Sequence, residues 1–247
     1  MSINKVAQVT AWFWVLKICA TTLGETAGDL LSMTLKVGCG ASSLLLLGVF
    51  CVLLARQLLI TRFNLLLYWA VILATSTAGT TLSDFMDRSL GLGYATGALL
   101  LTLGLVSVLF AWRTVEGSLS VSRIDTRRAE VFYWAAILFS NTLGTAVGDY
   151  LADDIGLGFM GGALLIGGLL AWVFLAYRLT TLSRVTLFWL AFVLTRPFGA
   201  TFGDWLTKSS DHGGLGFGTV GSSLVLFCVL VAGLVILGRQ ARTGAAV

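Results

Sequence analysis

Eight apolar stretches, each long enough to cross a lipid bilayer as a helix, follow one another along the chain. A membrane-spanning helix needs about 20 apolar residues. The predicted spans are 9–30, 38–56, 64–85, 91–112, 131–152, 157–178, 185–206 and 216–238. Hydrophobic residues make up 57% of the 247 and charged residues only 11%, so water could not solvate the surface of this chain. We therefore predict an all-α integral membrane protein, which excludes a soluble enzyme, a nucleic-acid-binding module and a disordered regulator.

Basic residues are distributed unevenly between the two sides that these spans define. Eleven of the 16 lysines and arginines fall at the termini or in the links after spans two, four and six. The longest link, 112–130, separates an N-terminal half, 1–120, from a C-terminal half, 121–247, each with four predicted helices. Because cytoplasmic loops carry an excess of Lys and Arg, the sequence predicts that both termini are cytoplasmic and that the outer face is acidic.

One pattern recurs on every odd-numbered span: a tryptophan, a glycine ten residues later and an aspartate fifteen residues later. The tryptophans are Trp14, Trp69, Trp134 and Trp189, and the aspartates are Asp29, Asp84, Asp149 and Asp204. A glycine-rich segment follows each aspartate: KVGC at 36–39, GLGY at 91–94, and GLGF at 156–159 and 214–217. Each repeat is therefore a two-helix hairpin. Since all four hairpins point the same way, the sequence predicts parallel pseudo-symmetry about the membrane normal.

These four repeats resemble those of a bacterial membrane-protein family of unknown function, in which each of four tandem repeats has two transmembrane segments and a characteristic tryptophan. The resemblance covers nearly the whole chain. It implies eight transmembrane helices and a multi-pass protein of the bacterial inner membrane. It assigns no activity and no functional residue.

Polar residues occupy one face of each odd span, mostly in the half that leads to the aspartate. With about 100° per residue, the polar positions fall within an arc of roughly 140°. Besides the four aspartates, the candidate ion-binding residues on this face are Glu25, Thr80, Asn141 and Thr145. Because polar groups in hydrocarbon turn towards the bundle interior, we expect the four faces to converge on a central axis, with the even spans outside.

Carboxylate and hydroxyl oxygens are the ligands that hard divalent cations prefer. The candidate metal ligands are Asp29, Asp84, Asp149, Asp204 and Glu25. The sequence therefore favours a small transporter for Mn²⁺, Mg²⁺ or Ca²⁺, with proton coupling as part of the hypothesis, no cofactor beyond a bound divalent cation and no enzymatic activity. The expected partners are the lipid bilayer and a small cation or solute, and not nucleic acid; the sequence leaves the oligomeric state open. Alternatively, the aspartates lie at solvated helix ends and the glycines serve only helix packing.

Three charged residues, Lys17, Glu25 and Arg196, break the repeat pattern. Buried charges need partners, so we expect a network that links them to the aspartates. This network either fixes the bundle or lets Lys17 or Arg196 occupy the acidic site until a substrate or proton displaces it. Pro197 predicts a kink and a hinge in span seven. The four tryptophans, near the inner ends of their spans, fit either an interfacial aromatic belt or an inner gate.

Two other functions stay open. Lys17 and Arg196 could bind the carboxylate or phosphate of an anionic or zwitterionic solute. The protein could also be a scaffold or sensor without transport, which a structure without a central cavity would favour. Catalysis is disfavoured because the chain has no HExxH or GxSxG motif and no histidine at predicted membrane depth.

Overall fold

The computed structural model describes residues 5–124 and 126–243, and these residues form helices and connecting turns with no strand. The eight long helices are α1 (Ala11–Asp29), α2 (Cys39–Leu59), α3 (Leu65–Asp84), α4 (Tyr94–Glu116), α5 (Arg127–Asp149), α6 (Gly158–Leu179), α7 (Arg184–Thr207) and α8 (Gly218–Thr243). Each predicted apolar stretch coincides with one of them. All of these helices except α1, which carries Lys17 and Glu25, are long and apolar enough to cross a membrane.

Local sequence signals set the beginnings of these helices. Each odd helix begins after a hydroxyl or amide side chain that accepts a hydrogen bond from a backbone N–H in the first turn, which satisfies a donor left free at the helix end. The four capping residues are Thr10, Asn64, Thr126 and Ser183.

The even helices begin after turns with positive φ, which glycine adopts without strain. In the GLGY segment these are Gly91 and Gly93, with φ of 70° and 73°. In the fourth repeat they are Gly216 and Gly218, so the predicted motif at 214–217 is displaced by two residues. The physical reason is an additional 3₁₀ turn, Ser210–His212, which lengthens this loop.

The first three odd helices change geometry where the repeat aspartate ends them. The three five-residue π-helical turns that follow are Leu30–Thr34, Phe85–Ser89 and Tyr150–Asp154. Helix α7 instead continues past Asp204 to Thr207. π-Helical turns are rare and occur frequently at functional sites, so the aspartates mark an unusual end of the bundle.

The four odd helices form a closed inner ring, in which α1 and α5 each contact both α3 and α7. Each even helix packs on the odd helix of the next repeat: α2 on α3, α4 on α5, α6 on α7 and α8 on α1. In the spans of the even helices 22–28% of residues are buried, against 56–67% in α3, α5 and α7. The odd helices therefore lie inside and the even helices outside, as the positions of the polar residues predict. The two sequence halves share this ring, because α8 covers α1 and α4 covers α5.

The repeat glycines lie where neighbouring odd helices touch. A Cβ atom at any of them would come 2.9–3.0 Å from backbone of the adjacent odd helix. The four contacts join Gly24 to Ser76, Gly79 to Asn141, Gly144 to Pro197 and Gly199 to Thr21. These contacts run from each repeat to the next and return from the last to the first. The glycines thus permit close helix packing all around the ring.

Candidate functional site

The four repeat aspartates come together at one end of the ring, called here the aspartate end. Each lies in the last turn of its α-helix, yet its side chain is turned inward and only 2–5% exposed. These residues lie at helix ends, but the ends are not solvated, because water hardly reaches the carboxylates. Carboxylates buried this deeply require cations or hydrogen-bond donors nearby.

Lys208 supplies the cation for two of them. Its Nζ atom donates to Asp29 Oδ2 at 2.7 Å and lies 3.2 Å from Asp204 Oδ1. Burial lowers the pKa of Lys208, but the carboxylates of Asp204 and Asp29 outweigh this effect, so the pKa lies above its ordinary value. Lys208 therefore remains a positively charged bridge between α7 and α1, with 26% of its side chain exposed.

Arg88 has the same role for the other two aspartates. Its Nε lies 3.4 Å from Asp84 Oδ1, and Nη2 donates to Asp149 Oδ2 at 3.4 Å. Its Nε also donates to the hydroxyl of Tyr94, and 38% of its side chain is exposed. Neither bridging base is among the candidate site residues that the sequence predicts. The sequence feature that indicates them is their spacing: each follows the repeat aspartate by four residues, in the second and fourth repeats. Residues four apart lie one helical turn from each other, so a base there can pair with the acid.

Three carboxylates form a compact group beneath Lys208. Glu25, Asp29 and Asp204 each offer one oxygen, and these oxygens all lie within 4.8 Å of one another. Oxygen ligands of one Ca²⁺ ion at its usual distances are at most about 5 Å apart. The group therefore has the size of a hard-cation site, and two of its three carboxylates pair with the Lys208 ammonium. Asp84 is outside this group, and its Oδ2 atom is buried without a hydrogen-bond partner among the described residues.

Glu25 is held from below by Arg196, which is fully buried. Nη1 of Arg196 donates to Glu25 Oε2 at 2.9 Å, and Nη2 donates to Thr80 Oγ1, Thr145 Oγ1 and the Ser76 carbonyl. The two threonine hydroxyls in turn donate to Glu25 Oε2 at 3.2 and 3.1 Å. Residues of all four odd helices thus meet at one ion pair on the axis.

A family model described as a Repeat of Unknown Function matches the chain four times, over residues 12–63, 67–118, 132–182 and 187–243. The chain belongs to the DUF347 repeat family. The suspected four-repeat family is thereby confirmed, and each DUF347 repeat contains one odd helix and the even helix that follows it. No curated protein and no solved structure shows significant similarity to the chain.

Lys17, in the first DUF347 repeat, differs from the prediction. Its Nζ donates to Asn141 Oδ1 at 3.3 Å and lies 4.0 Å from the centroid of the Phe192 ring. No carboxylate of the described residues lies within 4 Å of it, so the expected ion pair with the acidic network is not formed. The reason is the position of Lys17 along the ring axis, about two helical turns closer to the tryptophans than Glu25. From there its side chain reaches across the ring to Asn141 of α5, whose amide also donates a hydrogen bond to Thr75.

Pro197, in the fourth DUF347 repeat, does not end its helix, since α7 is continuous from Arg184 to Thr207. It follows Arg196 directly, and its ring nitrogen would lie 2.9 Å from a Cβ atom at Gly144 of α5. A hinge at this position stays a prediction.

The DUF347 tryptophans lie at the opposite end of the ring, called here the tryptophan end. Trp69, Trp134 and Trp189 are only 0–6% exposed, and Trp14 is half-buried, so an interfacial belt facing lipid is wrong for three of them. Each tryptophan packs on the aromatic residue that precedes the tryptophan of the previous repeat. The pairs are Phe13 with Trp69, Tyr68 with Trp134, Tyr133 with Trp189 and Phe188 with Trp14, at 5.5–6.5 Å between ring centroids. These contacts form a cycle of aromatic rings through all four repeats at the tryptophan end.

A buried ion pair lies at the same end and was not predicted. Lys5 Nζ lies 2.5 Å from Glu130 Oε2, and Gln57 Nε2 donates to Glu130 Oε1 at 3.4 Å. The hydroxyls of Tyr68 and Tyr133 form a buried hydrogen bond of 2.6 Å. Buried polar groups therefore occur at both ends of the ring and in its middle.

Proposed function

We propose that this protein is a membrane transporter for a hard divalent cation, Mn²⁺, Mg²⁺ or Ca²⁺, and that Glu25, Asp29 and Asp204 bind this ion. The observation that carries the proposal is that their three buried carboxylates each place an oxygen within 4.8 Å of the others, and that Lys208 pairs with two of them, Asp29 and Asp204. Helix packing alone does not require such a group, because carboxylates in an apolar interior are costly.

Lys208 acts in this proposal as a tethered cation that occupies the site when no ion is bound. It follows the last residue of α7, and a quarter of its side chain is accessible. An entering ion displaces the ammonium and takes over its two carboxylates, with Glu25 as a third ligand. The sequence hypothesis gave this displacement to Lys17 or Arg196; the proposal transfers it to Lys208, which alone of the three reaches Asp29 and Asp204.

The membrane arrangement is also part of the proposal. The cyclic contacts of glycines and aromatic rings support pseudo-fourfold symmetry about the membrane normal, with α1 as the eighth span. Lys17 and Glu25 lower the hydropathy of α1, but both face the ring interior and not lipid. The excess of basic residues at the tryptophan end supports cytoplasmic termini in a bacterial inner membrane, with the aspartate end outside.

Transport requires a second conformation. In this structure Lys17, Glu25 and Arg196 fill the axis and are 0–2% exposed. The ion pair between Glu25 and Arg196 must therefore open for a cation to pass, and Pro197 is placed to let α7 bend there. Proton coupling, which is part of the sequence hypothesis, is kept in the proposal.

Mn²⁺ uptake into proteoliposomes tests this function. We expect Asp29→Asn and Asp204→Asn to abolish uptake, because each removes a charged ligand and one partner of Lys208. The matched control is Asp153→Asn, an exposed acid at the same end without an ion pair among the described residues. Uptake that survives in both ligand variants would refute the assignment of this site.

A non-transporting scaffold is the second candidate, and the filled axis favours it. It predicts that the wild-type protein carries no cation flux under any gradient while its stability remains high. An anionic solute is the weaker alternative, because Arg196 already binds Glu25 and two threonines and Lys17 binds Asn141.

A further inference from the structure

A groove of about 800 Å³ lies at the tryptophan end, on the seam where α7 of the last repeat meets α1 of the first. Its walls come from α1, α6 and α7, and the linker between α4 and α5 covers one side. The larger apolar side chains of the wall are Trp14, Ile18, Leu119, Leu170, Phe174 and Phe188. Since Phe174 and Tyr177 are 59% and 50% exposed, the groove opens onto the outer surface of the bundle, which the apolar even helices make a lipid-facing surface.

The groove has the depth of one leaflet. Along α7 it extends from Arg184 to Thr195, and eleven residues of α-helix rise about 16 Å. The hydrocarbon core of a bilayer is about 30 Å thick, so this length is roughly half of it. An extended acyl chain from the leaflet at the tryptophan end therefore fits along the groove.

The mouth of the groove is polar and positively charged. Arg184 lies there, with its guanidinium 4.2 Å from the centroid of the Tyr177 ring and a hydrogen bond to the Tyr177 carbonyl. No carboxylate of residues 5–124 and 126–243 lies within 4 Å of it. Helices α1 and α7 both begin at the mouth, and helix N-termini carry partial positive charge. The hydroxyls of Ser120 and Ser122 complete the rim.

We propose that this groove binds an anionic phospholipid, with one acyl chain along α7 and the phosphate at Arg184. The apolar wall matches the chain, and the Arg184 guanidinium, which has no carboxylate partner among the described residues, matches the headgroup together with the two helix N-termini. A free phosphate would contact only Arg184 and the polar mouth, and the apolar wall would add nothing to its binding affinity. The bound lipid bridges α1, α6 and α7 and so stabilises the seam that closes the ring; this does not depend on the proposed cation transport.

The test measures lipid binding to the purified full-length protein by native mass spectrometry, together with the thermal shift. The probes are phosphatidylglycerol, phosphatidylcholine with the same chains, and glycerol phosphate without chains. We expect phosphatidylglycerol to bind and stabilise best. Arg184→Gln should weaken phosphatidylglycerol binding about fivefold and leave phosphatidylcholine unchanged. Ala191→Phe should weaken both lipids, because Ala191 lines the apolar wall.

Arg178→Gln is the matched control. Arg178 is an exposed arginine at the same end, near Phe174, and it does not line the groove. Equal loss of phosphatidylglycerol binding in Arg178→Gln and Arg184→Gln would overturn the proposal in favour of general surface attraction. Equal stabilisation by glycerol phosphate, or no preference of the wild type for the anionic lipid, would also overturn it. Arg184→Gln leaves the apolar wall intact, so this comparison decides the matter even where Ala191→Phe fails to fold.

Discussion

Lys208 and Asp29 are 179 positions apart in the sequence, yet Nζ of one lies 2.7 Å from Oδ2 of the other. This contact joins the last repeat to the first, and Arg88 joins the second repeat to the third in the same way through Asp149. The two remaining neighbouring pairs of repeats lack such a bridge in the described residues. The aspartate end is therefore divided into two ion-paired pairs, although the sequence repeat is fourfold.

Lys208→Gln should convert the group beneath it into a metal-dependent site. Without the ammonium, the carboxylates of Asp29, Asp204 and Glu25 repel one another in a buried position. We expect a lower melting temperature without metal, and a Mn²⁺-induced increase several times that of the wild type. Differential scanning fluorimetry with a Mn²⁺ titration measures both.

Lys36→Gln is the control for this variant, since Lys36 is exposed at the same end and has no ion pair among the described residues. A Lys208→Gln protein that melts at a lower temperature and gains nothing from Mn²⁺, Mg²⁺ or Ca²⁺ would show that the three carboxylates do not form a cation site.

Gly79→Ala tests the close contacts of the ring. A methyl group at this position comes 3.0 Å from the Asn141 carbonyl carbon, so α3 and α5 must separate. Overpacking of this kind costs about 1–3 kcal/mol. Gly48→Ala in α2 has nothing within 4 Å and should instead be neutral or stabilise by up to about 1 kcal/mol, because alanine favours helices. The comparison uses thermal or denaturant unfolding in detergent, and equal stability of the two variants would contradict the packing role.

Arg196 and Glu25 should behave as a coupled pair. Removal of one partner leaves a buried charge and costs about 3–5 kcal/mol. We therefore expect Arg196→Gln and Glu25→Gln each to be strongly destabilised and the double variant to be more stable than the sum of the two effects predicts. A double-mutant cycle of unfolding free energies measures this coupling. Strict additivity would mean that Thr80 and Thr145, and not the ion pair, hold the centre of the ring.

Helical periodicity was sufficient to predict the heights and directions of most axial residues. It placed Glu25, Thr80, Thr145 and Arg196 on inward faces, and the structure brings these four together. It could not predict the partner of Lys17, because periodicity along one helix does not specify which residue stands opposite. Asn141 accepts a hydrogen bond from Lys17 only because α5 lies across the ring from α1.

The angular count along each helix missed the two bridging bases for a different reason, although their spacing of four residues from the aspartates was a usable signal. Arg88 and Lys208 follow the α-helical part of their spans, where a π-helical turn or an extended residue replaces the regular rotation. A count of 100° per residue loses its meaning there. Their long side chains then fold back over the helix end onto acids that are buried.

Quenching by brominated lipid distinguishes an interior position of the tryptophans from an interfacial belt. Trp134, which packs against Tyr68 at the tryptophan end, is 0% exposed. Trp172, outside the repeat pattern, is 59% exposed on α6. We expect Trp172→Phe to remove a large part of the quenchable emission in proteoliposomes and Trp134→Phe to leave the quenchable amount unchanged. If Trp134→Phe lost as much quenchable emission as Trp172→Phe, the Trp134 indole would face lipid. That result would contradict its buried contact with Tyr68.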